Sequence, residues 1–218
     1  MVFGALAGFN VARSVWIPGD WHFAANVALW ALMVVVARIA WLNPTELGLA
    51  RSQCGRGARW GGTAAVVVAA VVVAAAYVPA AEGLFDDDRA AIGVGRLLLE
   101  IVIVIPFGTV LLEEFAFRGV LFGLLRRVER DLVAVAVSAL LFGLWHVLPT
   151  FGGNNGGLEG EASSLLGETG LALGTFAATA VAGLVFAWLR LRSHSLVAPI
   201  LAHLATNSVP LVVAWLLR

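Results

Sequence analysis

The stretch AAIGVGRLLLEIVIVIPFGTVLLEEFAFRGVLFGLL, residues 90–125, decides the fold class: it is too apolar for a helix in water and carries charges that a passive membrane helix would not keep. At 1.5 Å per residue its roughly 36 residues would reach about 54 Å as one helix. That is nearly twice the roughly 30 Å hydrocarbon thickness of a bilayer, yet too little for two full crossings. Pro106 followed by Gly108 marks the expected break, since proline removes an intrahelical donor and crowds the preceding turn. The sequence therefore predicts an oblique or interfacial helix before Pro106 and a true span after it.

Five further apolar runs flank this stretch, Phe23 to Leu42, Gly61 to Ala81, Leu132 to Leu148, Leu171 to Leu189 and Leu196 to Leu217, each with the length of a single crossing. The whole chain agrees: 61% of its residues are hydrophobic, 13% are charged and its mean hydropathy is +0.93, against about 25% charged in an ordinary soluble domain. The expected fold class is all-α, a polytopic transmembrane helical bundle of about six spans, in the cell membrane. Residues 23–218 form one transmembrane domain. Residues 1–22 are expected as an interfacial or partly inserted lead-in, because Arg13 and Asp20 interrupt any signal-peptide pattern. Net charge is zero and the basic residues, all arginine, sit in small clusters between apolar runs, so membrane lipid and not nucleic acid is the expected surrounding partner. Cys54 is the single cysteine, which excludes an intrachain disulfide and a cysteine-based zinc site.

The connections alternate in charge. Arg51, Arg56 and Arg59, then Arg126, Arg127 and Arg130, then Arg190 and Arg192 occupy every second one; Glu82 with Asp86 to Asp88, and Glu159, Glu161 and Glu168, occupy the others. Arginine-rich short loops stay cytoplasmic, which puts both termini outside. Gly152 to Gly157, with two asparagines among glycines, reads as a flexible loop on the acidic side.

An ionisable group inside lipid costs at least a few kcal/mol, so each one marks a candidate site. Those singled out within the runs are Glu100, Glu113, Glu114, Arg118, His146 and His203, with the amide of Asn207 beside them. Glu100, before the break, is expected at an interfacial surface. Glu113 lies about 20 Å from Arg126, His146 about 22 Å from Asp131, and His203 and Asn207 about 14 and 20 Å from His194, so three spans carry polar groups into one layer. Glu114 and Arg118 are four apart and can pair on one helical face. Glu113, rotated about 100° from Glu114, has no partner on its own helix and is free to face the bundle interior. Trp145, adjacent to His146, is a candidate lining residue. A carboxylate, two imidazoles and an amide meeting in a low-dielectric cavity permit hydrolysis: the carboxylate as general base on water, the imidazole and amide groups as donors to an oxyanion. Glu113, His146 and His203 also form a two-histidine, one-carboxylate set, which leaves a divalent metal such as zinc open.

The same residues carry a family resemblance. Glu113 to Arg118 reads EExxxR, Phe142 to His146 reads FxxxH and His203 to Asn207 reads HxxxN. In this order and spacing, over about residues 95–218, the chain resembles the CPBP family of intramembrane endopeptidases, which includes type II CAAX prenyl proteases and bacteriocin-processing or immunity proteins (the Abi family). The resemblance implies an all-helical peptidase acting on peptide or protein substrates, including lipid-modified ones. In it Glu113 and His146 activate the attacking water, His203 and Asn207 stabilise the oxyanion, and Glu114 with Arg118 forms a supporting ion pair. It leaves the cofactor open, either none or a metal.

Duller readings stand beside these. Glu114 and Arg118 can be purely structural, because buried charges pair; Asn207 can serve as interhelical glue. The chain contains no HExxH, GxGD or GxSxG motif, which sets other intramembrane protease chemistries aside. Two rival functions remain, a proton-coupled transporter or channel and a non-catalytic, immunity-type protein that binds a peptide in the same cavity.

Overall fold

With no water to bond them, backbone groups in lipid must be satisfied within the chain, and long apolar runs fold as helices. The computed structural model describes residues 2–18, 21–150 and 165–218, and these are helical with short connections and no strand. The helices are α1 Val2–Val15, α2 His22–Ile39, a single turn α3 Pro44–Leu47, α4 Arg51–Ala75, α5 Val94–Val128, α6 Asp131–Thr150, α7 Leu165–Ser193 and α8 Val197–Leu216. Among the described residues, five segments are long and apolar enough to cross a bilayer, and they include α2, α4, α5 and α8 and most of α7. The sixth expected run is also a helix, with a shorter apolar part at Asp131–Val147, about 26 Å at 1.5 Å per residue. The molecule is an integral membrane helical bundle. The glycine-rich loop expected at residues 152–157, with Glu159 and Glu161, lies outside the described residues.

The break expected at Pro106 does not occur. Helical winding runs on from Val94 to Val128, with i→i+5 turns at Glu100–Val104, Pro106–Val110 and Phe115–Leu121 set between α-helical turns. Wider turns regroup the carbonyls around the missing proline N–H, so the helix runs on through the proline without ending there. A side chain also ties this stretch to its neighbour: the buried Asn26 on α2 donates to the Gly108 carbonyl at 2.6 Å. Gly108 permits this approach, since a Cβ there would sit 3.2 Å from the Phe23 ring. Glu100, expected at an interfacial surface, is half-buried and pairs with Arg96 one turn earlier.

Close helix contacts rest on small residues, as expected where lipid offers no hydrophobic drive to association. Gly57 and Gly61 on α4, four apart, face α8: a Cβ on Gly61 would lie 2.7 Å from the Ala198 carbonyl oxygen, and one on Gly57 2.5 Å from Ser195 Oγ. Gly143 and Gly183 do the same work between α6 and α7, against Phe176 and Ala180 in one direction and Ala139 in the other. Gly61→Val is therefore expected to lower stability by about 1–3 kcal/mol through overpacking. Thermal unfolding in detergent reads this against Gly62→Val, whose Cβ meets nothing within 4 Å; equal melting of the two variants would contradict it.

The arginine-rich connections gather at one end. Asn43 and Glu46 form a reciprocal cap on α3, which stops at Gly48 with φ of 75°, a conformation open to glycine. Arg127 binds Glu46, and the buried Arg190 donates to the carbonyls of Glu46, Thr45 and Arg118, tying the end of α3 to α5 and α7. Trp16, Trp21, Trp41 and Trp60 are exposed, as membrane-interface anchors are. The lead-in is built into the bundle: Val2 and Leu6 of α1 are buried in the same apolar cluster as Phe115, Phe117, Phe142 and Trp145.

Candidate active site

Three helices converge on the middle of α5. Glu113 and Glu114 end a single α-helical turn, Leu111–Glu114, set between two wider ones. Both are buried, at 5% and 0% exposure, although consecutive residues on a helix point about 100° apart. Each finds a different partner. Glu114 faces Arg118 one turn on, with Arg118 Nη1 donating to Glu114 Oε1 at 3.0 Å, as the sequence leads one to expect. The same oxygen lies 2.8 Å from His203 Nδ1 on α8, a link that the spacing along α5 could not suggest. Arg118 also donates to the Gly183 carbonyl at 3.3 Å and lies over the face of Phe142, 4.0 Å from the ring centroid, while its Nε is left buried without a partner.

Glu113 faces the histidines. Its Oε2 lies 3.7 Å from His146 Nε2 on α6 and 3.8 Å from His203 Nε2 on α8, and it is buried with no hydrogen-bond partner. Its Oε1 accepts a bond of 3.0 Å from the indole N–H of Trp145. Trp145 is thus a buried donor to the carboxylate.

The hydrogen bonds fix which imidazole nitrogen is which. His146 Nδ1 lies 2.8 Å from the Phe142 carbonyl and His203 Nδ1 from the Glu114 carboxylate; both partners only accept, so both Nδ1 atoms carry hydrogen. In the neutral rings each Nε2 then presents a lone pair toward Glu113 Oε2. Three acceptors around one point call for a shared proton, a water molecule or a cation. Phe142 and Phe186 pack on the imidazoles: Phe186 stacks on His203 with centroids 4.8 Å apart, and the Phe142 and His146 rings meet at a steep angle, 4.5 Å apart. Phe186 sits inside an apolar run with nothing in the sequence to mark it.

The residue types are those of a zinc site, but the spacing does not fit a held metal. Ligands of a tetrahedral zinc with bonds of 2.0–2.1 Å lie about 3.3–3.4 Å apart, short of the separations measured from Glu113. Among the described residues, no three His, Cys, Asp or Glu side chains are grouped so as to hold a metal ion.

Asn207, one turn past His203, makes no hydrogen bond to the other three. It lines an adjoining cavity of about 540 Å³ with Thr206 and Thr109, which also takes in Arg89, Arg96 and Glu100. Of the four residues singled out from sequence, the structure brings Glu113, His146 and His203 together, and sets Asn207 in this neighbouring space. A separate apolar groove of about 470 Å³ runs beside α5, lined by Phe23, Trp30, Phe107, Leu112, Phe115 and Ile200 among others.

A family model described as Type II CAAX prenyl endopeptidase Rce1-like matches residues 95–209, more than half of the chain, and the match contains all three motifs. No curated protein and no solved structure matches the chain.

Proposed function

Because the chain belongs to the type II CAAX prenyl endopeptidase Rce1-like family, a family of proteases, we propose that it hydrolyses a peptide bond in membrane-associated, lipid-modified protein substrates, with Glu113 as the general base. The observation that carries this reading is Glu113 Oε2, buried without a partner and flanked by the two imidazole Nε2 atoms at 3.7 and 3.8 Å. Those separations are too long for direct hydrogen bonds and suit a water molecule held between the three.

Glu113 takes a proton from that water as its oxygen attacks the scissile carbonyl, with His146 Nε2 orienting the water's second hydrogen. His203, bonded through Nδ1–H to the Glu114 carboxylate, can carry a proton on Nε2 as well and donate it to the developing oxyanion; the carboxylate stabilises the imidazolium this requires. Asn207 joins as a second donor from the adjoining cavity. Glu113 then returns the proton to the leaving amine, and the electrons of the broken C–N bond leave with that nitrogen. The apolar groove beside α5 offers room for the lipid part of a substrate. The cell membrane is the site of action.

The test is cleavage by purified protein in liposomes, read by mass spectrometry, with a farnesylated peptide ending in a CAAX sequence and its unmodified counterpart. Cutting of the farnesylated peptide is expected, and a chelator arm tells whether a divalent metal such as zinc takes part. Proton flux without any peptide product would overturn the proposal in favour of a transporter or channel. A peptide that binds but stays whole would overturn it in favour of an immunity-type binding protein.

A further inference from the structure

The family match begins at residue 95, yet the carboxylate it contains is held by a chain of contacts that starts in α1. Asn10 is 2% exposed, and its Nδ2 donates to the backbone carbonyl of Trp145 at 2.6 Å. That carbonyl needs an outside donor. Its partner in a regular helix would be the N–H four residues on, and the residue there is Pro149, which has none. The Trp145 ring is clamped on two sides: Phe9 of α1 stacks on it, centroids 6.3 Å apart and 5° from parallel, and Phe117 of α5 meets it edge-on at 5.8 Å. From this seat the indole N–H reaches Glu113 Oε1 at 3.0 Å, and among the described residues it is the one hydrogen-bond donor to that carboxylate.

We propose that Trp145 is a positioning residue for Glu113, and that α1, through Asn10 and Phe9, is the element that holds it in place. An indole N–H donates and never titrates in water, so it holds Oε1 without competing for the proton. The carboxylate is thereby oriented, with Oε2 left as the oxygen that faces His146 and His203 and exchanges a proton. A side chain free to rotate about its last bond would offer either oxygen in many directions; the fixed one waits in the geometry that proton transfer requires. The chemistry of the three motifs therefore depends on a segment outside them.

The inference rests on Glu113 as the base, so its test has two separate readouts. In the liposome assay with the farnesylated peptide, Trp145→Phe keeps an aromatic ring and removes the N–H, and kcat is expected to fall about tenfold or more at nearly unchanged KM, the scale of losing an orienting contact around a catalytic group. Asn10→Leu should fall in the same sense. Val11→Ala, on the exposed side of α1, should not. Replacing Trp145 with 7-azatryptophan, which retains the N–H, should restore the rate, whereas benzothienylalanine, of the same shape without it, should not. A Trp145→Phe variant that cleaves at the wild-type rate would overturn the proposal.

The second readout needs no activity. In protein labelled at the indole nitrogens, the Trp145 N–H resonance, identified by its loss in Trp145→Phe, should move on Glu113→Gln and on Asn10→Leu. A wild-type protein that cuts nothing would refute the hydrolase and leave this resonance to decide the coupling. A signal indifferent to both substitutions would refute the coupling itself. Should Asn10→Leu fail to fold, Phe9→Leu, which removes the ring stacked on Trp145, tests the hold from α1 in its place: a wild-type rate with an unmoved Trp145 resonance would overturn it.

Discussion

Glu113→Gln is expected to abolish cleavage, by about 10³-fold in kcat, in a protein that folds and melts like the wild type. The amide is nearly the same shape as the carboxylate, and its oxygen can keep accepting the Trp145 N–H. Its NH₂ falls where Oε2 stood and faces the same space between the two imidazole nitrogens, where a water molecule can bridge them as before, so the change strands no new polar group. Only the capacity to take a proton from water is lost. General-base catalysis supplies roughly 10²–10⁴-fold, which sets the size of the loss, while an isosteric change with no stranded partner should alter stability by less than about 1 kcal/mol. Cleavage rate and thermal unfolding, measured on the same preparation in liposomes and in detergent, separate the two quantities. A glutamine variant that cuts as fast as the wild type removes Glu113 from the mechanism.

The class of fold is legible because the bilayer leaves a chain few options: apolar runs of crossing length become helices, and an acid or imidazole inside one stands out by its cost. Glu113, His146 and His203 were visible for that reason and because helical periodicity carries each to a common depth. What periodicity cannot state is which face of one helix meets which face of another. The Glu114 bond to His203 joins residues 89 apart, and the Asn10 bond to Trp145 joins residues 135 apart. Neither has a local signal. Pro106 misleads for the opposite reason: the local rule of a broken i→i−4 ladder is sound, but winding at i→i+5 carries the helix through the proline. Phe186 shows the limit most plainly, since an aromatic in an apolar run reads as lipid-facing or core until the fold stacks it on His203.

Glu114→Ala is expected to be the most damaging single change to the fold, costing about 3–5 kcal/mol, because it strands the Arg118 guanidinium, 0% exposed, without its counter-charge. Against a total stability of about 5–15 kcal/mol, that is enough to empty much of the folded population. The loss cannot by itself say whether the pair serves structure or catalysis, since an unfolded enzyme is also inactive. The double change Glu114→Leu with Arg118→Met can. It removes both charges at similar volume, and such replacements of buried ion pairs are often neutral or stabilising, so melting should recover most of the loss, short of the wild type by the about 1–3 kcal/mol of leaving the buried His203 Nδ1–H unpaired. His203 Nδ1, however, loses the carboxylate that sets its tautomer and steadies its protonated form, 2.8 Å away in the wild type. Cleavage should therefore stay at least about 10-fold down in a protein that is well folded, since a carboxylate that orients a catalytic histidine can be worth up to about 10⁴-fold. Stability restored with rate restored would make the pair a structural brace and nothing more; stability restored without rate makes Glu114 the residue that aims His203 at the substrate.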